Sequence, residues 1–312
     1  MSQAFVHHPV MVEEVVALLS AVPPGVVVDA TVGGGGHARA LLDATAALRL
    51  VGMDRDADAV AAARQSLAAY GDRVSVHHAR FDRLHELVPG PVSAVLFDLG
   101  VSSPQLDRPG RGFSYRAEGP LDMRMDRSQR RTAADVVNGA DEATLARLVA
   151  ASGEHRFARR IARRIVEARP IATTAELAGV VRDAIPAAAR RTGGHPARRA
   201  FQAIRVAVNE ELDLLGPALD AAIGLLAPGG RCVALAYHSG EDRIVKERFA
   251  LAASGGCTCP PQLPCVCGAV PMVRLLNRGA RKASAAEVAA NPRAESARLR
   301  ACERLEATEN AR

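Results

Sequence analysis

Short apolar runs rich in β-branched residues alternate with Ala- and Leu-rich stretches through the first hundred residues. The apolar runs lack the alternation of a half-buried strand, which favours strands covered on both faces. Strands that alternate with helices indicate a parallel, doubly wound sheet. The predicted strands are residues 26–30, 48–54, 74–78 and 92–98, and the predicted helices are residues 38–47 and 57–70.

This alternation stops in the middle of the chain. From about residue 110 to residue 199 the pattern is helical and rich in Arg and Ala, and it predicts no strand. Strand character returns at residues 231–237, and then at residues 271–276 and 297–304 as edge strands. We therefore predict an α/β domain built from residues 1–109 and 206–312, interrupted by an inserted helical domain at residues 110–205.

Composition adds a basic balance to this picture. The 312 residues carry 40 Lys and Arg against 34 Asp and Glu, and only Lys246 and Lys282 are lysines. A net charge of +6 suits a nucleic-acid partner, although an Arg-biased genome accounts for it equally well. The chain shows neither a signal-peptide pattern nor an apolar stretch long enough to cross a bilayer. We therefore expect a cytoplasmic protein with no membrane partner.

A glycine-rich segment, GGGGH at residues 33–37, lies between the first predicted strand and the first predicted helix. Glycines there allow a sharp turn and close approach to a ligand, and the N–H groups of the helix can bind a carboxylate or phosphate. Asp54 ends the second strand, where a carboxylate can accept hydrogen bonds from ribose hydroxyls. The pattern favours an adenosine-bearing cofactor, either NAD or S-adenosylmethionine. The alternatives are a turn without a ligand and a helix N-cap, since Asp54 and Asp56 both precede the second helix. The two roles can coexist, because Asp56 can cap the helix while Asp54 binds.

Two further residues follow strand ends. Phe81 comes shortly after the third strand, where it either packs on an adenine or belongs to the core. Asp98 ends the fourth strand and begins the segment DLGVSSPQ at residues 98–105. Because ligands bind at the carboxyl edge of such sheets, this segment is a candidate for chemistry, or else a plain turn.

The sequence then resembles a known family over almost its whole length. The segments that match in the same order are DLGVSSPQLD at residues 98–107, RGFSY at 111–115, GPLDMRMD at 119–126, FQAIR at 201–205, VNEEL at 208–212, HS and EDRIVK at 238–246, and NPR at 291–293. Together they identify the chain as similar to the ribosomal RNA small subunit methyltransferase H family, the cytosine-N4 methyltransferases of 16S rRNA. Two positions depart from the family pattern: Gly240 replaces the usual Leu, and Glu295 stands where the family usually has a basic residue.

The resemblance implies a class I methyltransferase fold with a helical insertion and S-adenosylmethionine as methyl donor. It implies a decoding-centre (P-site) cytidine of 16S rRNA, in the small ribosomal subunit, as acceptor. The cofactor contacts that it implies are Gly35, Gly36, His37, Asp54, Phe81, Asp98 and Gln105. His37 and Gln105 come from the resemblance alone.

The acceptor chemistry suggests catalytic candidates. The exocyclic amine of cytosine is a poor nucleophile, so the site must position it and take up a proton. We predict that Asp98, Ser102 and Ser103 line the amine site. Phe113 or Tyr115 is a candidate for stacking on a base turned out of the RNA. Asp122 is a candidate for a second carboxylate in the site, and the alternative is an ion pair with Arg124 or Arg127.

Arginines recur at helical spacing in the predicted insertion. They are Arg156, Arg159, Arg160, Arg163 and Arg164, followed by Arg190, Arg191, Arg198, Arg199 and Arg205. Such a face can neutralise RNA phosphates. The alternative is a solvated helix whose arginines pair with Glu154 and Glu167.

Four cysteines form a C-x-C-x5-C-x-C pattern, at Cys257, Cys259, Cys265 and Cys267. Four thiolates can bind zinc, but this is not the common C-x2-C spacing. The alternative is a surface loop with free or occasionally oxidised thiols. On spacing alone we assign no metal site.

Two other functions share part of this pattern. A nicotinamide-dependent oxidoreductase would use the same glycine loop and Asp54, but the chain shows no Tyr-x-x-x-Lys pair for hydride chemistry. A non-enzymatic RNA-binding factor would not need intact cofactor positions. The sequence does not determine the oligomeric state, for which a homodimer is one option.

Overall fold

The structure is a computed structural model, and it describes residues 9–191, 195–260 and 266–306. The chain divides into two compact units. The described residues up to Gly100 and from Asp213 onward form the first, which we call the sheet unit, and Val101–Leu212 form the second, the helical unit. The helical unit begins nine residues before the predicted boundary at 110 and ends seven residues after the one at 205. At the first boundary the reason is that Val101 and Leu106 pack against the core of the helical unit.

The sheet unit is built on one seven-stranded sheet of order β3-β2-β1-β4-β5-β7-β6. The strands are β1 (Gly25–Asp29), β2 (Leu48–Asp54), β3 (Val74–His78), β4 (Val92–Asp98), β5 (Leu226–Ala236), β6 (Val273–Leu275) and β7 (Arg298–Arg304). The first five in this order are parallel, and β7 runs antiparallel to β5 and β6. The α/β prediction is confirmed, and the arrangement is that of a class I methyltransferase fold.

The two C-terminal strands differ from each other. β6 lies at the edge of the sheet, as predicted, but β7 lies between β5 and β6. The prediction of an edge position was therefore wrong for β7. Leu299, Ala301 and Cys302 of β7 are buried, and they pack with the core residues of the central strands.

The α-helices flank the sheet or build the helical unit. In the described part of the chain they are α1 (Val12–Leu19), α2 (Gly36–Ala44), α3 (Ala57–Ser66), α4 (Leu84–Leu87), α5 (Ser103–Asp107), α6 (Ala133–Gly139), α7 (Glu142–Ala151), α8 (Ala158–Glu167), α9 (Thr174–Ala184), α10 (Arg198–Asn209), α11 (Glu211–Leu225), α12 (Ser239–Ser254) and α13 (Ala285–Ala290). None of these helices combines the length and apolarity needed to span a bilayer.

Both faces of the sheet are covered by apolar layers. Successive residues of β4 alternate between two core clusters: Val95 and Phe97 belong to one, and Ala94 and Leu96 to the other. All four are at most 2% exposed. This double burial explains why the strand reads as a continuous apolar run rather than as an alternating one.

The helical unit has its own core. Leu145, Ile161, Ile165, Leu177 and Phe201 come from the four helices α7 to α10 and meet in one buried cluster. Burying a side chain such as Ile161 stabilises the unit by roughly 1.5–3 kcal/mol. Because every member of this cluster comes from the helical unit, the insertion carries the apolar contacts that hold it together.

Candidate active site

Three parallel strands of the sheet unit end in carboxylates at the same edge. β1 ends at Asp29, β2 at Asp54 and β4 at Asp98. Strand register brings these ends level, since Asp29 pairs with Gly52 of β2 and with Leu96 of β4. Ligands bind at this carboxyl edge in open α/β sheets, so the three acids mark the candidate site.

The glycine segment forms the turn between β1 and α2. Gly35 is the N-cap of α2 with φ +84°, and it has no side-chain cap. A Cβ at Gly35 would lie 2.7 Å from the Ser66 hydroxyl oxygen and 3.1 Å from Leu67 Cγ. The first turn of α2 also holds no acidic side chain, so its N–H groups are oriented toward the edge without a competing carboxylate.

Asp54 connects the glycine segment to the second strand. Its Oδ2 accepts from the Gly33 N–H at 3.0 Å, and its Oδ1 accepts from the Asp56 N–H at 2.8 Å. The cap of α3 is instead Asp56, which accepts from the Asp58 N–H at 3.1 Å. The capping alternative for Asp54 is therefore wrong.

Burial raises the pKa of Asp54 to about 6, although backbone N–H groups favour its charged form. The carboxylate is thus ionised at neutral pH and is held in place by two hydrogen bonds. Such a group can accept hydrogen bonds from a ribose, and its predicted cofactor role stays a prediction.

Asp98 makes two hydrogen bonds in the sheet unit and has His37 as a third neighbour. The Tyr237 hydroxyl donates to Asp98 Oδ1 at 2.7 Å, and the backbone N–H of Asp98 donates to Thr31 Oγ1 at 2.6 Å. His37 Nδ1 lies 3.5 Å from Asp98 Oδ2. The Asp98 side chain keeps 22% of its surface exposed. It is therefore both oriented and accessible.

His37 is buried at the start of α2. Its Nε2 lies 2.9 Å from the Val10 carbonyl oxygen. A carbonyl only accepts, so the hydrogen of a neutral His37 is on Nε2. The resemblance gave this residue as a cofactor contact, and the structure places it against the candidate catalytic carboxylate.

The sequence did not single out Asp29 or Tyr237 as site residues. Burial raises the pKa of Asp29 to about 7, and its Oδ1 accepts from the Thr31 N–H at 3.2 Å. Burial and the neighbouring Asp98 carboxylate raise the pKa of Tyr237 well above its usual value, so its hydroxyl stays protonated and donates. The sequence signal for both residues is their position at or next to a strand end, the same feature that marks Asp54 and Asp98.

Phe81 lies beside the core of the sheet unit. Its ring meets the ring of Phe97 edge to face, with centroids 6.0 Å apart. The side chain is half-buried, which leaves part of it exposed. Core packing is thus observed, and the contact with adenine stays a prediction.

Ser102, Ser103 and Gln105 belong to the helical unit, at the start of α5. Gln105 Oε1 accepts from the Ser102 N–H at 3.0 Å, which caps the helix. Ser103 and Gln105 are 3% and 5% exposed. The three residues come together with one another, and their roles toward donor and acceptor stay predictions.

The aromatic and acidic alternatives of the helical unit have protein partners. Phe113 is buried, and Tyr115 stacks on His195 with ring centroids 4.5 Å apart. The Asp122 carboxylate accepts hydrogen bonds from Arg124 Nε at 2.7 Å and from Arg124 Nη2 at 2.9 Å. Burial acts to raise the pKa of Asp122, but the Arg124 hydrogen bonds lower it overall. The observed role of Asp122 is thus the predicted ion pair.

The arginines of α8 face away from the core. Ile161 and Ile165 are buried, whereas the arginines on the opposite face are exposed: Arg159, Arg160, Arg163 and Arg164. Arg164 pairs with Glu167 at 2.9 Å, as the solvated-helix alternative expected. Within the described residues no carboxylate lies within 4.0 Å of Arg159 or Arg160.

The later arginines are less available. Arg205 makes two hydrogen bonds of 2.9 Å to Glu211 and is mostly buried. Arg199 pairs with Glu154 at 3.1 Å. The Arg190 side chain donates to the Ile185 carbonyl at 2.6 Å. Of this set only Arg198 is exposed without an ion pair to a described residue, and the side chain of Arg191 lies outside the described part.

Comparisons with known proteins identify the family of the chain. The profile of the MraW methylase family matches residues 4–305. The chain is 54% identical to Ribosomal RNA small subunit methyltransferase H of Thermobifida fusca, over 97% of this chain and 94% of that protein. It is 49% identical to the protein of the same name from Symbiobacterium thermophilum, over 99% of this chain and 100% of that protein.

Among solved structures, a methyltransferase from Streptococcus mutans in complex with SAH covers 96% of this chain and 100% of that chain. Its identity of 12% and TM-score of 0.46 are too low to carry an argument. The full-length family match excludes the nicotinamide-dependent oxidoreductase. The chain belongs to the MraW methylase family and is an S-adenosylmethionine-dependent methyltransferase.

Proposed function

We propose that the enzyme methylates the N4 amine of a decoding-centre (P-site) cytidine in 16S rRNA of the small ribosomal subunit, in the cytoplasm. The observation that carries the proposal is the match to relatives named Ribosomal RNA small subunit methyltransferase H, at 49% and 54% identity over nearly the whole chain. The site adds a held but accessible carboxylate, Asp98, at the edge where the donor binds.

The residues of the sheet unit fit an adenosine-bearing donor. The first turn of α2 has no side-chain cap and no acid, which suits the carboxylate of the donor. The Asp54 carboxylate is fixed by two backbone N–H groups and suits ribose hydroxyls. Bound S-adenosylmethionine supplies an electrophilic methyl group on a sulfonium. Gly35, Gly36, His37 and Phe81 complete the proposed donor contacts of this unit, and the resemblance to the family adds Gln105 of the helical unit.

Asp98 is the proposed hydrogen-bond and proton acceptor. The cytosine amine loses a proton when its nitrogen takes the methyl group, so a nearby base must receive it. Tyr237 and Thr31 fix the orientation of Asp98, which limits the geometries that the amine must search. The hydroxyls of Ser102 and Ser103 are proposed as further acceptors for the amine.

The helical unit is the proposed RNA-binding part. The outer face of α8 carries four exposed arginines, and two of them have no ion pair among the described residues. Arg159 and Arg160 are therefore the best candidates for phosphate contacts. Arg205 is not, because Glu211 already holds its guanidinium.

The identity of the product tests the proposal directly. Mass spectrometry of 16S rRNA from a strain that lacks the gene should show the loss of one N4-methylcytidine, restored by the wild-type gene. An unchanged profile of modified nucleosides in that strain would contradict the proposed target.

Asp98→Asn tests the proposed acceptor. The amide keeps the shape of the side chain but cannot take a proton, so we expect turnover at saturating donor and RNA to fall by roughly 10²–10⁴-fold. Asp58→Asn, a surface carboxylate at the start of α3, is the matched control and should keep normal turnover. Normal turnover in Asp98→Asn would remove Asp98 from the chemistry while leaving the target assignment intact.

A further inference from the structure

Three thiols of the cysteine pattern come together in space. Cys257 and Cys259 follow the end of α12, and Cys267 lies eight residues further on. Their three sulfur atoms all lie within 4.8 Å of one another. Cys265, the fourth cysteine of the pattern, lies outside the described residues, so the inference is built on these three.

The spacing of the sulfurs suits a metal ion. Zinc binds thiolates at about 2.3 Å, which puts the sulfurs of a tetrahedral site roughly 3.8 Å apart. The three sulfurs need to approach by no more than about 1 Å to reach that spacing. None of the described cysteines forms a disulfide, so the thiols are present as potential ligands.

Backbone N–H groups point at one of the sulfurs. The backbone N–H groups of Val266 and Cys267 hydrogen-bond to the Cys259 sulfur. Such N–H groups stabilise the thiolate, which is the form that binds metals. A loop that donates two backbone groups to one sulfur is thus already arranged as a ligand shell.

Packing does not explain this cluster. The thiols are half-buried or exposed, and the neighbouring Val266 is 88% exposed. Two other cysteines do pack in the core: Cys232 and Cys302 face each other in β5 and β7 and are fully buried. Those two fill the core, whereas the cluster at the end of α12 has no core to fill.

We propose that Cys257, Cys259 and Cys267 bind a zinc ion, which ties the segment after α12 into one compact loop. Each thiol releases its proton when it binds the metal, so the apparent affinity should fall as the pH is lowered. The site lies in a segment separate from the residues assigned to donor and amine, and it is independent of the proposed rRNA target.

Metal content tests the proposal. The full chain, purified without chelator and with a phosphine reductant, should retain about one zinc per protein after dialysis against buffered Zn²⁺. The Cys259→Ser, Cys267→Ser double variant should hold less than about a tenth of that amount. Cys302→Ala removes a thiol from the core and should keep the zinc. Less than half an equivalent in the wild type, or equal zinc in the double variant, would overturn the proposal.

Thiol reactivity gives a second readout that needs no variant. Alkylation followed by peptide mass spectrometry should show Cys257, Cys259 and Cys267 protected with zinc and reactive after chelation. The buried Cys232 and Cys302 should stay protected in both states, which makes them an internal control. Equal reactivity of the three clustered thiols with and without the chelator would also count against the site.

Discussion

At the scale of single residues, the carboxyl edge of the sheet holds a carboxylate almost entirely out of water. Asp29 is 2% exposed, and one backbone N–H, that of Thr31, donates to it. Burial raises its pKa to about 7, which means that ionising this group costs free energy in the folded enzyme. A carboxyl group with a raised pKa thus lies at the edge where the donor is proposed to bind.

Asp29 should make the stability of the protein depend on pH. Between pH of about 4 and 7 the folded protein keeps a proton on Asp29 that the unfolded chain has released, so the free energy of unfolding falls as pH rises. In Asp29→Asn this loss is absent. Between pH 5 and pH 8 the free energy of unfolding of the variant, relative to that of the wild type, should rise by on the order of 2 kcal/mol. Urea unfolding at the two pH values measures this change.

The control for this measurement is Glu13→Gln, which removes an exposed carboxylate of α1. Its stability relative to the wild type should change little over the same pH range. A constant difference between Asp29→Asn and the wild type at both pH values would show that Asp29 does not carry a raised pKa.

The residue scale also shows what the sequence could reveal. Asp54 and Asp98 were found because strand ends meet at one edge, which is a property of the pattern alone. Tyr237 was missed because its role comes from a partner 139 residues away, Asp98, and pattern analysis does not give such pairs. The sequence allows two roles for Asp122, and the two hydrogen bonds from Arg124 show that it forms an ion pair.

At the scale of elements, the turn between β1 and α2 contains two glycines with positive φ, Gly33 and Gly35, and Gly35 is the more closely surrounded. Gly35 has φ +84°, a conformation that L side chains rarely adopt, and Ser66 and Leu67 close the space around it. Its neighbour Gly34 lacks a positive φ, and no heavy atom lies within 4 Å of the place of its Cβ.

Gly35→Ala and Gly34→Ala are therefore a matched pair. Gly35→Ala should lower the free energy of unfolding by about 1–3 kcal/mol, because it adds backbone strain and a contact with Ser66. Gly34→Ala should stay within about 0.5 kcal/mol of the wild type. Chemical unfolding without donor measures both. Equal losses in the two variants would mean that the turn does not require glycine at Gly35.

Helix α8 is the element that the RNA proposal depends on. If Arg159 and Arg160 contact phosphates, Arg159→Ala with Arg160→Ala should reduce the slope of log affinity against log salt by about 2. Arg147→Ala with Arg182→Ala removes the same charge from α7 and α9 and is the control. Identical slopes in wild type, double variant and control would remove the outer face of α8 from the RNA site.

The limits of individual elements could be predicted more accurately than the partners against which they pack. The limits of β2, β3 and β4 match the predicted residues. For β4 the reason is a buried run of mostly apolar residues. The place of β7 inside the sheet was missed, since an antiparallel strand added late in the chain leaves no mark of which partners it chooses. Similarly, the segment from Val101 to α5 belongs to the helical unit because Val101 packs against its core. The local sequence pattern does not indicate such a contact.

At the scale of the whole molecule, the two units carry different parts of the proposed function. Donor binding should slow amide hydrogen exchange in residues 31–37 and 54–56, because ligand binding stabilises the segments it contacts. Exchange in α7, α8 and α9 should not change with donor. A 16S rRNA fragment should slow exchange in α8.

Exchange followed by mass spectrometry distinguishes these responses. Protection of α7–α9 by donor alone, as large as that of residues 31–37, would contradict the division of roles between the units. The exposed helix α13 serves as a reference segment, for which neither ligand is expected to change the exchange rate.

The discontinuous sheet unit has a consequence for the newborn chain. Strands β1 to β4 leave the ribosome first, then the complete helical unit, and β5 begins only at Leu226. Synthesis of the roughly 130 residues between β4 and β5 takes on the order of ten seconds. During that interval the side of β4 that will receive β5 is an open strand edge, free to pair with another chain. The open edge of β4 therefore persists until the last three strands are made, and by then the helical unit has every residue of its own core.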